Sequence, residues 1–94
     1  MALFAVDYVY DPTRTAEMDP VRPLHRAHLG ELHDRGVNVA SGPWVGERPG
    51  ALILLHADSA EGALAALAED PFFVGGFVIS RTARQWNPVI GEIA

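Results

Sequence analysis

Cysteine is absent from the 94 residues. That excludes disulfide frameworks, thiolate metal sites and thiol nucleophiles, and it fits a cytoplasmic setting. Basic residues are few, with seven spread along the chain against twelve acids and a net charge of -5. This balance leaves no electrostatic footprint for DNA or RNA and little attraction to an anionic membrane. No apolar run approaches the roughly 20 residues that span a bilayer. The opening Met1 to Asp7 lacks the basic region of a signal peptide and is interrupted by an acid. Repeats, linkers and low-complexity segments are missing too, as are a CxxC loop, the aromatic pattern of RNA-binding sheets, a glycine-rich phosphate loop and a GxSxG elbow.

What is present is enough apolar sequence for a core, 49% of the residues, in one domain covering 1–94. So small a domain buries only a modest share of its surface, and a partner subunit would help it.

Leu3 to Tyr10 is rich in aromatic and β-branched residues and reads as a strand that is apolar on both faces. A polar connection follows, with Asp19 in position to cap a helix whose first residue is Pro20. Along that helix Leu24, His25, His28, Leu29, Leu32 and Gly36 share one arc, while Arg22, Arg26, Gly30, His33 and Asp34 fall outside it. Gly36 suits the helix end, Val37 to Ala40 a short strand and Ser41-Gly42-Pro43 a turn. Trp44 to Gly50 reads as a hairpin tip and Ala51 to His56 as its return strand, central because it does not alternate. Asp58-Ser59-Ala60-Glu61 has the spacing of a capping box. The second helix, with Ala60, Ala63, Leu64 and Leu67 on one stripe, is expected to run to Glu69 or Asp70, where Pro71 stops it. Phe77 to Ala83 is a fourth strand. A tail from Arg84 to Ala94 carries Trp86, Pro88, Val89 and Ile90, too apolar to be left in solvent.

The order strand, helix, strand, strand, helix, strand predicts an α+β, ferredoxin-like βαββαβ fold, with two helices on one face of a four-stranded antiparallel sheet. The other face would then be an exposed apolar patch. Packing it on a second copy predicts a homodimer, with the tail reaching toward the partner.

Asp70 is placed by this reading at the carbonyl end of a helix, where a carboxylate loses about 0.3–1 kcal/mol. A solvated acid in an Asp-Pro turn is the plain explanation. A functional one is that the turn lies beside the first helix, so that an imidazole from that helix could pair with the carboxylate and be oriented by it. His25 and His28 both sit on the buried stripe, where a histidine most often finds backbone partners. As metal ligands they have acceptable i, i+3 spacing, but no third ligand is placed, so no metal is expected. His33 and His56 read as solvated.

Several blocks carry a resemblance: Val21-Arg22-Pro23-Leu24-His25, Leu32-His33-Asp34-Arg35-Gly36, Ala40-Ser41-Gly42-Pro43, Asp70-Pro71-Phe72 and Trp86-Asn87-Pro88-Val89. In this order and at these separations the chain resembles the YCII-related (YciI-like) family over nearly its whole length. The resemblance implies a dimeric α+β barrel, similar to that of muconolactone isomerases. It carries the family's catalytic His and Asp onto His25 and Asp70, with the Ser41-Gly42-Pro43 turn beside the pocket. The short hairpin tip and His28 depart from the family pattern, so substrate choice does not transfer.

The expectation is a cofactor-independent enzyme acting on a small cyclic or aromatic molecule, with His25 as general base or acid and Asp70 as its partner. Isomerisation, or elimination such as dehydrohalogenation, needs no more. Ser41 and the amides near Gly42 would steady an oxyanion, Trp44, Phe72 and Phe73 would form an apolar wall, and Arg22 and His28 are further candidates. The alternatives are a non-catalytic ligand-binding module and a cofactorless oxygenase.

Overall fold

The computed structural model describes residues 1–93; Ala94, the end of the expected tail, lies outside the described residues. Four strands, β1 (Ala2–Tyr10), β2 (Asn38–Pro43), β3 (Gly50–Ala57) and β4 (Val78–Gln85), form one sheet in the order β2-β3-β1-β4. All pairings are antiparallel. Between them lie α1 (Thr15–Met18), α2 (Arg22–Asp34), α3 (Ala60–Ala66) and α4 (Pro71–Val74). The architecture is the ferredoxin-like unit expected from the sequence, with two very short helices added.

The two-residue period of the strands divides the sheet cleanly. Phe4, Val6, Tyr8 and Tyr10 of β1, with Ala51, Ile53, Leu55 and Ala57 of β3, are buried and join Leu29 and Leu32 of α2 and Ala63 and Leu67 near α3 in one core. Each large side chain so buried contributes about 1.5–3 kcal/mol relative to exposure. The alternate residues Ala5, Leu52 and Leu54 are only half-buried, on the opposite face. Trp44 is exposed and donates its indole N–H to Asp7 Oδ1 at 3.1 Å on that face. No helix among the described residues is long and apolar enough to cross a membrane.

The boundaries depart from expectation where local bonding competes. The loop after β1 holds α1, and α2 begins at Arg22 with Pro23 in its first turn, so Asp19 does not cap it. Asp19 instead pairs with Arg22 at 2.6 Å. On α2 the buried residues are His25, Leu29 and Leu32; Leu24 is exposed. Gly36 does end the helix: at φ 77° it lets its own N–H reach His33 O and that of Val37 reach Leu32 O, satisfying two terminal carbonyls. Ser41 and Gly42 lie on β2 opposite Ile53 and Leu52, after an irregularity between Asn38 and Ala40, rather than in a turn.

The largest correction concerns Asp70. Tight i to i+3 bonds, Leu67 N–H to Leu64 O and Ala68 N–H to Ala65 O, end α3 at Ala66. Asp70 then begins α4: its carboxylate accepts from Phe72 N–H at 3.1 Å, and its carbonyl from the N–H groups of Phe73 and Val74. The acid therefore stands at the amino end of a helix, where negative charge is favoured. Beyond β4 the Trp86 N–H still donates to Leu3 O, and the Trp86, Val89 and Ile90 side chains are exposed in the single chain.

Candidate functional site

The site is built where α2 and α4 meet over the sheet. His25 is 6% exposed and Asp70 0%. His25 Nδ1 lies 2.7 Å from Asp70 Oδ1. A carboxylate only accepts, so Nδ1 is the donor, and in the neutral imidazole the lone pair then lies on Nε2. The second carboxylate oxygen is held by Tyr8, whose hydroxyl donates to Oδ2 at 2.8 Å. With the Phe72 amide, Asp70 thus accepts three bonds from three separate elements, β1, α2 and α4. Burial, together with the neighbouring carboxylate, pushes the Tyr8 phenol well above its ordinary range, so it stays a donor at any physiological pH. The imidazole also lies on the Phe72 ring, with centroids 4.0 Å apart and planes 15° from parallel. Stacking on one side and a fixed hydrogen bond on its edge leave His25 little freedom to rotate.

His25 opens on a cleft of about 570 Å³ between α2 and the β2–β3 half of the sheet. That volume lies in the usual range of roughly 300–1,000 Å³ for small-molecule sites. Of the residues singled out from the sequence, Arg22, His25, Ser41, Gly42 and Phe72 line it. Arg22, paired with Asp19, lies 5.7 Å from the Phe72 ring centroid. Ser41 Oγ accepts from Asn38 Nδ2 at 3.0 Å, so its own proton is free to be donated elsewhere.

Three expected wall or binding residues do not line this cleft. Trp44 stands on the opposite sheet face beside Leu52 and Leu54. Phe73 points away and stacks under Arg81, whose guanidinium lies 3.6 Å from the ring centroid. His28 follows His25 by one turn on the side of α2 away from the Arg22, Arg26 and Gly30 stripe, and its Nε2 is buried with no hydrogen-bond partner among the described residues. Trp44 stands just beyond the end of β2 and Phe73 within α4, and the side each faces is set by strand register and helix direction, which residue type does not reveal.

The sequence reading did not find Tyr8, Tyr10, Arg26, Gly30, His33 or Asn38 as site residues. Tyr8 carried a signal, since a phenol on the buried face of a strand needs an acceptor. The α2 residues carried another: Arg22, Arg26, Gly30 and His33 repeat at i, i+4, i+8 and i+11, a second stripe flanking the buried one, and all four line the cleft. No three His, Cys, Asp or Glu side chains converge as a metal site among the described residues.

Fold and site together define a ferredoxin-like α+β domain in which a phenol–carboxylate–imidazole chain ends at an open cleft. The YCII-related domain family matches residues 2–87, and the chain belongs to that family. No curated protein sequence matches it. Among solved structures it is similar to 5-chloro-2-hydroxyhydroquinone dehydrochlorinase (TftG) from Burkholderia phenoliruptrix in complex with 2,5-dihydroxybenzoquinone, with a TM-score of 0.78 and 19% identity over 90% of this chain and 93% of that one. An antibiotic biosynthesis monooxygenase is similar at a TM-score of 0.58 and 13% identity, over 95% of this chain and 99% of that one. At these identities the likeness is one of fold, that of the units that make dimeric α+β barrels.

Proposed function

We propose that the domain is a cofactor-independent acid–base enzyme of the lyase or isomerase type, acting on a small cyclic or aromatic molecule with an ionisable hydroxyl. The observation that carries the reading is the 2.7 Å bond from His25 to a carboxylate that is wholly buried and held by two further donors. An acid so placed orients the ring and stabilises the imidazolium that forms when Nε2 takes a proton. Arg22 would face the developing phenolate or enolate, and the Ser41 hydroxyl would donate to the same charge.

The dehydrochlorinase named among the similar structures suggests one such reaction. On a chlorinated hydroxyquinol, Nε2 would take a hydroxyl proton and the oxygen's electron pair would form a ring carbonyl, while the chlorine-bearing carbon takes up a proton. Loss of a second hydroxyl proton then expels chloride, for a net loss of one HCl. No external oxidant or reductant enters, which suits a site of these residues.

The test uses 5-chloro-2-hydroxyhydroquinone and related halogenated hydroxyquinols, with free chloride as the readout. Release by the wild type that is abolished by His25→Gln supports the reading, whereas equal release by both proteins would remove the role of His25. The half-buried face of Ala5, Leu52 and Leu54 supports a second part of the proposal, a homodimer packed sheet on sheet, with the Trp86 to Ile93 tail against the partner. A monomer by light scattering at micromolar concentration would count against it.

A further inference from the structure

The chain carries a net charge of -5, yet the cleft is lined by two arginines and two histidines and by no aspartate or glutamate. Arg22 is already paired with Asp19. Arg26 makes no ion pair or hydrogen bond among the described residues. Its helical neighbours at three and four residues' distance are Arg22, Pro23, Leu29 and Gly30, so no acid on α2 is placed to neutralise it. A guanidinium with five donors is thus left at the wall of a cleft whose other walls are largely apolar.

Gly30 is the second observation. It lies inside α2, where glycine costs about 1 kcal/mol relative to alanine. Nothing in the protein demands it: a methyl group placed there would meet no atom within 4 Å. Gly30 nevertheless lines the cleft, between Arg26 one turn before and His33 one turn after. The missing side chain leaves open space there. At about 1.5 Å per residue that space is some 7.5 Å along the helix from His25, and the lining stripe from Arg22 to His33 is about 16 Å long, more than a one-ring molecule spans.

We infer that the cleft has two ends, a reacting end at His25 and an anion-binding end over Gly30 where Arg26 is the recognising residue, so that the ligand is an elongated aromatic acid rather than a bare ring. This rests on the proposed site but not on its chemistry. A carboxylate seated over Gly30 would take a bidentate bond from Arg26 and put a phenolic ring about one and a half helical turns away, beside Phe72 and His25. Arg26 therefore positions the substrate and sets its class.

The probe is 4-hydroxycinnamate, compared with its uncharged methyl ester by titration calorimetry at neutral pH on the full chain. The acid is expected to bind at least tenfold more tightly than the ester. Arg26→Gln should abolish that preference while leaving the ester's affinity near the wild-type value, and Gly30→Leu should weaken the acid by tenfold or more. Gly30→Ala, which keeps the helix and most of the space, should weaken it less. Equal binding of acid and ester, binding of neither at millimolar concentration, a preference that survives Arg26→Gln, or unchanged binding of the acid to Gly30→Leu would each overturn the inference. His25→Gln separates it from the catalytic reading. If that variant keeps the preference for the acid while no halogenated hydroxyquinol, with or without a carboxylate arm, releases chloride with the wild type, the anion end stands and the chemistry fails.

Discussion

On the helix-covered face of the sheet, the wholly buried Asp70 is tolerated because Tyr8, His25 and the Phe72 amide all donate to it. On the opposite face, Leu52 and Leu54 are half-covered and Trp44 is exposed, with only its indole nitrogen engaged. The first face has polar groups where apolar ones would be cheaper, and the second has apolar groups where polar ones would be. A buried charge persists only if its partners are all present, and a surface apolar patch suits a covering partner. Both departures from plain patterning therefore point outward from the fold, the first to chemistry and the second to assembly.

The comparison breaks most severely at Asp70. Asp70→Ala strands three donors in the interior, so the unfolding free energy in urea should fall by about 3–5 kcal/mol. Asp70→Asn keeps the shape but offers an amide group to donors, and should cost about 1–3 kcal/mol. An acid at a helix carboxyl end, as the sequence predicts, would make Asn neutral or stabilising; its place at the amino end of α4, with Tyr8 and His25 also donating to it, reverses that sign. Next in size is the other face. Leu54→Asp would put two like charges into a two-fold sheet-on-sheet contact, at a cost of several kcal/mol to association. A dimer should become a monomer by sedimentation, whereas a wild type already monomeric would make the substitution nearly silent.

The order of elements and the antiparallel sheet were legible because two-residue and 3.6-residue periods are printed in the chain, and Gly36 marks a helix end chemically; α3 is capped one residue later than the Asp58–Glu61 capping box predicts, by Ser59, whose hydroxyl accepts from Gly62 N–H. The approach of His25 to Asp70 was legible from topology, which places α2 beside the segment after α3. The direction of α4 was not, since Asp-Pro-Phe reads equally well as the stop of one helix or the start of the next. Tyr8 escaped because its acceptor is 62 residues away. The cleft stripe on α2 escaped because a residue outside the buried arc looks solvated until β2 is known to face it.

Tyr8 sharpens the same comparison through pH. Tyr8→Phe leaves Asp70 Oδ2 without its donor and should cost about 1–3 kcal/mol. Both tyrosines of the chain are buried with their phenol pKa values raised, Tyr8 by burial and then by Asp70, and Tyr10 by burial and then by Asp70. A folded-state value raised above the unfolded one, about 10, means that the stabilisation is complete below pH 10 and is lost as pH climbs beyond it. The chain has no lysine or cysteine, so no other side chain but tyrosine titrates in that window. Stability measured from pH 9 to 11.5 should fall in the wild type and fall less steeply in Tyr8→Phe, and tyrosinate absorbance should appear only with unfolding. Free titration of both phenols near pH 10 in the folded protein would contradict the hydrogen bond to Asp70.

The smallest effect has the opposite sign and compares two glycines of one helix region. At Gly30 a methyl group meets nothing within 4 Å and the backbone needs no positive φ, so Gly30→Ala gains helix propensity and should raise stability by about 0.5–1 kcal/mol. At Gly36 a methyl group also meets nothing, but φ is 77°, and the left-handed conformation costs an L side chain about 1–2 kcal/mol. Equal steric freedom thus predicts melting temperatures that move apart, up for Gly30→Ala and down for Gly36→Ala. The gain at Gly30 is the part that bears on function. If alanine there raises the melting temperature, the fold has no use for the glycine, and the open space it leaves belongs to whatever enters the cleft. If alanine instead lowers it, α2 needs that glycine for its own packing, and the cleft above Gly30 is only a by-product of the fold.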